Sequence, residues 1–207
     1  MSSLRSEILG LPDGSPAFRL LLPEGWTANK ISEETAESFE EQARAVFMRA
    51  GRPDLDGAFA SMMRRGMRDL ERSGARYVLL PGASSDGTVP PISLIVSVVS
   101  GEGGATLDGW VSARFREGAQ MLDEGGRIVH WRARKPGTET GVEQVQSSYV
   151  IPMPETNRTK ALMLTGTVMV DADATDDADI IVAGGAVFDA IAATVTWMAP
   201  VDTSPVR

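Results

Sequence analysis

Two hydrophobic periods divide the chain. Val129, Trp131 and Ala133 fall on one side of a period-two run, and Ile128, His130, Arg132 and Arg134 fall on the other. The segment from Val142 to Ile151 repeats the pattern, with Val145, Tyr149 and Ile151 opposed to Gln144, Gln146 and Ser148. From Thr159 to Val168, Leu162, Leu164 and Val168 share a face. Short turns, opened by Pro136-Gly137 and Pro152, join these segments, which predicts three antiparallel neighbours. The period then changes to 3.6. Phe188, Ile191, Ala192 and Val195 form one face of a helix from about Ile180 to Trp197, laid across the sheet to close the core.

Upstream, Ala17 to Leu22 is a short apolar strand that Pro23-Glu24-Gly25-Trp26 stops. Ser32 is placed to cap a helix whose first turn carries Glu33 and Glu34, with Ile31, Phe39, Ala43, Val46, Phe47 and Ala50 as its stripe. Pro53 opens a second helix with the stripe Leu55, Phe59, Met62, Met63, Met67 and Leu70; Arg64, Arg65, Arg68 and Arg72 fill much of the remainder. Joined by Gly51-Arg52-Pro53, the two read as an antiparallel hairpin over 32–74. Arg76 to Pro81 and Ile92 to Ser100 are strands. Thr106 is placed to cap a third helix with Leu107, Trp110, Val111, Phe115 and Leu122 inward, ended by Gly125-Gly126. Residues 1–16 read as a loose leader, 17–199 as one domain and 200–207 as a mobile tail. With helices covering the sheet, the order of elements predicts a three-layer α+β or α/β sandwich with the helix hairpin inserted.

Composition narrows the function. The net charge of −8 makes nucleic acid and anionic membranes poor partners, because both call for compensating positive charge. No run approaches the ~20 apolar residues of a membrane span, and no apolar core follows Met1, so no direct membrane insertion is expected and a cytoplasmic location is. The chain has no cysteine, which removes disulfides, thiolate metal sites and a cysteine nucleophile. Of its 20 basic residues 17 are arginine, a bias that suits a GC-rich, actinobacterial genome.

The order of elements, together with Phe18 to Trp26, the run Tyr149-Val150-Ile151-Pro152, Lys160 to Thr167, and Phe188-Asp189-Ala190-Ile191-Ala192 ending in Trp197, resembles the PsbP-like superfamily. That group holds photosystem PsbP subunits, a Ran-binding nuclear import factor, actinobacterial lipoproteins and effector-loading chaperones. The resemblance spans roughly residues 17–197 and implies an α+β fold, with an antiparallel sheet of about six strands between helical layers, and an accessory or binding protein rather than an enzyme. The chain departs from it in lacking a lipid-attachment cysteine and in the length of the 32–74 hairpin.

Candidate chemistry is sparse. His130 is the sole histidine, and the 82–87 loop lacks the glycine of a nucleophile elbow. The run Asp171 to Asp179 departs from a calcium loop at Asp176, where glycine is required, and at Val182, where glutamate is required. Gly184-Gly185 lacks dinucleotide-binding spacing. No catalytic residue, cofactor or metal is therefore expected. The candidate partner-binding residues are Met62, Met63 and Met67 with Arg64 and Arg68 on the hairpin, and His130, Arg132 and Arg134 on a strand; Gln144, Gln146 and Lys160 are placed on the same sheet face as His130. Three readings follow. The first is a non-enzymatic binding or adaptor protein with a protein partner, in the manner of a chaperone or accessory factor for a secreted or membrane-associated partner. The second is a small-molecule binder or hydrolase using the His130 face. The third is a structural homo-oligomer, a homodimer joined through the hairpin.

Overall fold

The computed structural model describes residues 4–11, 15–83, 87–137 and 141–198. Its strands are β1 (Leu4–Leu9), β2 (Phe18–Pro23), β3 (Thr27–Lys30), β4 (Ala75–Leu80), β5 (Ile92–Ser100), β6 (Gln120–Met121), β7 (Val129–Pro136), β8 (Val142–Pro152), β9 (Lys160–Asp171) and β10 (Thr196–Trp197). Its helices are α1 (Glu33–Arg49), α2 (Asp56–Arg72), α3 (Asp108–Arg116) and α4 (Asp179–Ala193). The fold is α+β. A seven-stranded antiparallel sheet runs β3-β4-β5-β9-β8-β7-β6, and a three-stranded sheet runs β1-β2-β10. The expected meander is present as β7-β8-β9, in which Trp131 pairs with Ser148 and Ser148 with Thr165.

One face of the large sheet, here the front, carries Leu79, Leu94, Val96, Tyr149, Leu162 and Leu164. It is covered by α4, through Ile181, Phe188 and Ile191, and by the small sheet, whose Phe18, Leu20 and Leu22 are fully buried. Burying such a side chain contributes about 1.5–3 kcal/mol. An exposed ion pair of the hairpin contributes about 0–1 kcal/mol. The front core, and not the charge pattern, therefore carries the stability. The back face is covered in two separate places. The base of the α1–α2 hairpin packs Ala36 and Met67 on Ala75 and Val78 over β4. Leu107 and Trp110 of the α3 segment pack on Val129, Val150 and Ala161 over β7, β8 and β9.

Several expectations are corrected. The segment expected as a loose leader contains β1, which pairs with β2 along its whole length, from Leu4 with Pro23 to Leu9 with Phe18. Five of the expected strands form the large sheet, which gains β3 and β6 at its two edges, while the expected opening strand, β2, belongs to the small sheet. The third helix stops at Arg116; β6 follows and pairs with β7, so Met121 lies on a strand and Phe115 is 38% exposed. Leu107, not Thr106, sits at the N-cap of α3, without a side-chain cap. The last helix ends at Ala193, and Thr196–Trp197 pairs with β2 instead of prolonging it. Ser32 does cap α1, its side chain accepting from the Thr35 amide at 3.2 Å. The 84–86 part of the serine-containing loop and the tail beyond 198 lie outside the described residues.

Candidate functional site

Strand β7 and helix α4 assemble the most polar cluster of the front face. The alternation of β7 brings His130, Arg132 and Arg134 to that face, and α4 crosses above them. Asp189 of α4 is the hub. It accepts a hydrogen bond from the Tyr149 hydroxyl at 2.6 Å and one from Arg132 Nη2 at 3.3 Å. Its Oδ1 lies 3.8 Å from His130 Nε2, beyond hydrogen-bond range. Gly185 makes room for the crossing, since a Cβ there would sit 2.6 Å from Arg132 Nη2. One step further along β7, Arg134 is held by Glu143 at 2.8 Å and by Asp176 at 2.7 Å. The acidic run before α4 thus acts as a counter-charge to β7.

The His130 ring stacks on Tyr149 with centroids 4.8 Å apart and planes 17° apart. Burial drives its pKa below the ordinary histidine range; Asp189 opposes the shift and Arg132 adds to it. Burial, and then the bond to Asp189, pushes the Tyr149 hydroxyl far up. This places a neutral imidazole and a neutral phenol at pH 7, with Nε2 of the histidine buried and without a partner. The adjoining cavity, about 240 Å³, is lined by Arg132, Arg134, Asp176 and Ile181 and not by His130. The cluster ties β7 and β8 to α4 through Asp189.

The cluster gives a signed pH prediction. A histidine whose folded pKa is depressed stays neutral in the fold while the unfolded chain takes up a proton below about pH 6.5. The stability this contributes is complete above that pH and falls as the pH is lowered toward the folded value. Chemical denaturation between about pH 7 and pH 5 is expected to show a loss that His130→Phe, which keeps the stacking on Tyr149, reduces. An unchanged slope in the variant would remove the assignment.

The hairpin residues separate. Met67 is buried and Met63 half-buried against the sheet, whereas Met62, placed in the same stripe from sequence, is 62% exposed. Glu40 is 5% exposed and is gripped by Arg64 through Nε at 2.8 Å and Nη2 at 2.6 Å, a two-pronged bond that locks α1 to α2. Arg68 is exposed and lines a groove of about 570 Å³ with Glu33, Glu37 and Glu71. The structure therefore groups His130 with Arg132 and Arg64 with Arg68, and keeps the two groups on opposite faces of the sheet. Gln144 and Gln146 are also corrected: they pair with Lys135 and Ala133 and so lie on the back face, away from His130. Tyr149 and Asp189 were not identified from sequence. The signal available was a tyrosine on the inward face of one strand and an aspartate beside Phe188 on the inward face of a helix.

Among the described residues no three or more metal-ligating side chains converge, and no helix is long and apolar enough to cross a membrane. No protein-family model matches the chain, and no curated protein matches it. A solved structure from Bacteroides thetaiotaomicron VPI-5482 aligns with 9% identity and a TM-score of 0.41, over 88% of this chain and 46% of that one. The present chain thus spans about half the length of that protein.

Proposed function

We propose that the protein is a non-enzymatic binding protein that engages a protein partner through the far end of the α1–α2 hairpin. One observation carries this reading. The base of the hairpin is fastened to the sheet by Ala36, Met67 and the Glu40–Arg64 bond, while Val46, Met48 and Met62 further out are 52%, 62% and 62% exposed. Phe47 and Phe59, in edge-to-face contact at 5.6 Å, and the Arg44–Asp56 ion pair at 2.9 Å brace that end. Exposed methionines on a braced helix pair suit an apolar, helical segment of a partner. Arg65, three residues beyond Met62, is also exposed, and adds a preference for acidic residues beside the apolar ones. The PsbP-like resemblance points to the same class of accessory protein, and action in the cytoplasm belongs to the same proposal, supported by the cysteine-free composition.

The absence of cysteine makes the test direct. Met48→Cys introduces a single thiol, which can carry a photo-crosslinker into the native lysate. A specific heterologous adduct is expected, and it should be lost when Val46 and Met62 are replaced by serine, changes expected to move stability by no more than about 0.5 kcal/mol. An adduct formed only with a second copy of the chain would favour the homo-oligomer. No specific adduct would overturn both readings.

A further inference from the structure

The back face of the large sheet is left open between α3 and the hairpin, and the opening is a groove of about 470 Å³, within the range of small-molecule sites. Its layout follows from the strand register. Trp131, Ser148 and Thr165 are neighbours in one row across β7, β8 and β9; Ala133, Gln146 and Thr167 form the next, and Lys135 follows on β7. Trp110 of α3 closes the apolar end, meeting Trp131 edge-to-face at 5.9 Å. The guanidinium of Arg114 lies 5.7 Å from each indole and is held by Glu117 at 2.6 Å.

One polar atom here is buried without a partner, Arg114 Nε. A buried, unpaired polar group costs about 1–3 kcal/mol, so it calls for an occupant. Ser148 lines the groove with a hydroxyl that makes no hydrogen bond among the described residues. The charge at the site is opposite to that of the whole protein. Arg114 and Lys135 face one carboxylate, Glu117, in a chain of net charge −8. Arg132 also borders the groove, but its side chain is committed to Asp189 on the other face.

We infer that this groove is a binding site for an amphipathic organic anion, with its flat or aliphatic body against Trp131 and Met163 and its carboxylate toward Lys135 and Arg114. Ser148 and Thr165 donate to its polar edge. The rows from Trp131 to Lys135 span about 13 Å of strand, which suits a ligand the size of a bicyclic carboxylate. This site is separate from the hairpin, and each can fail without the other.

The probe is 2-naphthoate, with 2-naphthamide as its uncharged analogue, titrated into the full chain while the indole N–H signals of the four tryptophans are followed by NMR. The expected result is saturable movement of the Trp110 and Trp131 signals, with Trp26 and Trp197 still. Binding should be weakened about tenfold or more by Lys135→Glu, a few-fold by Ser148→Ala, and about tenfold in the amide. Lys135 is exposed, so its replacement leaves the fold intact. No saturable movement, equal movement of all four signals, or equal affinity for the amide would each overturn the proposal.

Discussion

Replacing Gly166 by alanine is expected to destabilise the protein by about 1–3 kcal/mol, although alanine is ordinarily the better residue in a strand interior by about 0.5–1 kcal/mol. The reason is local. Gly166 lies in the middle of β9, and the Phe188 ring of α4 rests directly on it. A Cβ at this position would sit 2.4 Å from Phe188 Cδ2 and 2.5 Å from Cγ, and Phe188 is fully buried, so the ring has no free space to enter. The overpacking cost thus exceeds the propensity gain and reverses its sign. Thermal unfolding should register a fall of roughly 2–4 °C for each kcal/mol. A double-mutant cycle separates this cause from any other. Phe188→Ala alone should cost about 3–5 kcal/mol by emptying the site. In that background Gly166→Ala should become neutral or favourable, because the clash is gone. An undiminished penalty would show that the helix does not seat on this glycine.

The same contact explains what could be read from the chain and what could not. The apolar alternation of β8 and β9 and the helical spacing of Phe188, Ile191 and Ala192 identify the two surfaces that meet, because each is a local pattern set by backbone geometry. The knob-and-hole pairing of Phe188 with Gly166 is not local. A glycine in a strand reads only as a weakness until the residue from the helix arrives above it.

The polar cluster divides in the same way. That His130, Arg132 and Arg134 share a face is dictated by the pleat of one strand. Which groups of other elements meet them depends on register and on where α4 crosses. Gln144 and Gln146 fall on the face opposite His130 because the turn between β7 and β8 fixes the register, Gln146 opposite Ala133, and one residue of register moves every side chain to the other face. Asp176 and Asp189 were legible only as charges near a helix N-terminus and on a helix surface. Their bonds to Arg134 and Arg132 are long-range facts. Met62 is exposed because it lies about 140° round α2 from the buried Met67, whereas Met63, one turn from Met67, packs with it.

Deleting residues 1–11 is expected to cost about 3 kcal/mol or more, well beyond what loss of an unstructured extension would cost. Strand β1 protects one edge of β2, and its Leu9, paired with Phe18, is 6% exposed in the front core. The deletion also removes the Gly10 carbonyl that accepts a hydrogen bond from the Tyr77 hydroxyl at 2.7 Å, a bond that fastens the segment to β4. Leu9→Ala alone should account for much of the loss, about 2–5 kcal/mol, since it empties a buried site. Leu4→Ala and Ile8→Ala should each stay within about 0.5 kcal/mol, because those side chains are 61% and 62% exposed. This contrast is also why the strand was invisible in the sequence. Of its six residues only Leu9 is buried, so no alternation marks it, and the glycines and prolines that follow suggest a loop. Its structure comes from the backbone ladder to β2, a partner that any extended segment can satisfy and that side-chain periodicity does not announce. Denaturant unfolding of the deletion, Leu9→Ala and Ile8→Ala chains measures the difference. Equal stability of all three with the full chain would mean that the segment does not hold this edge.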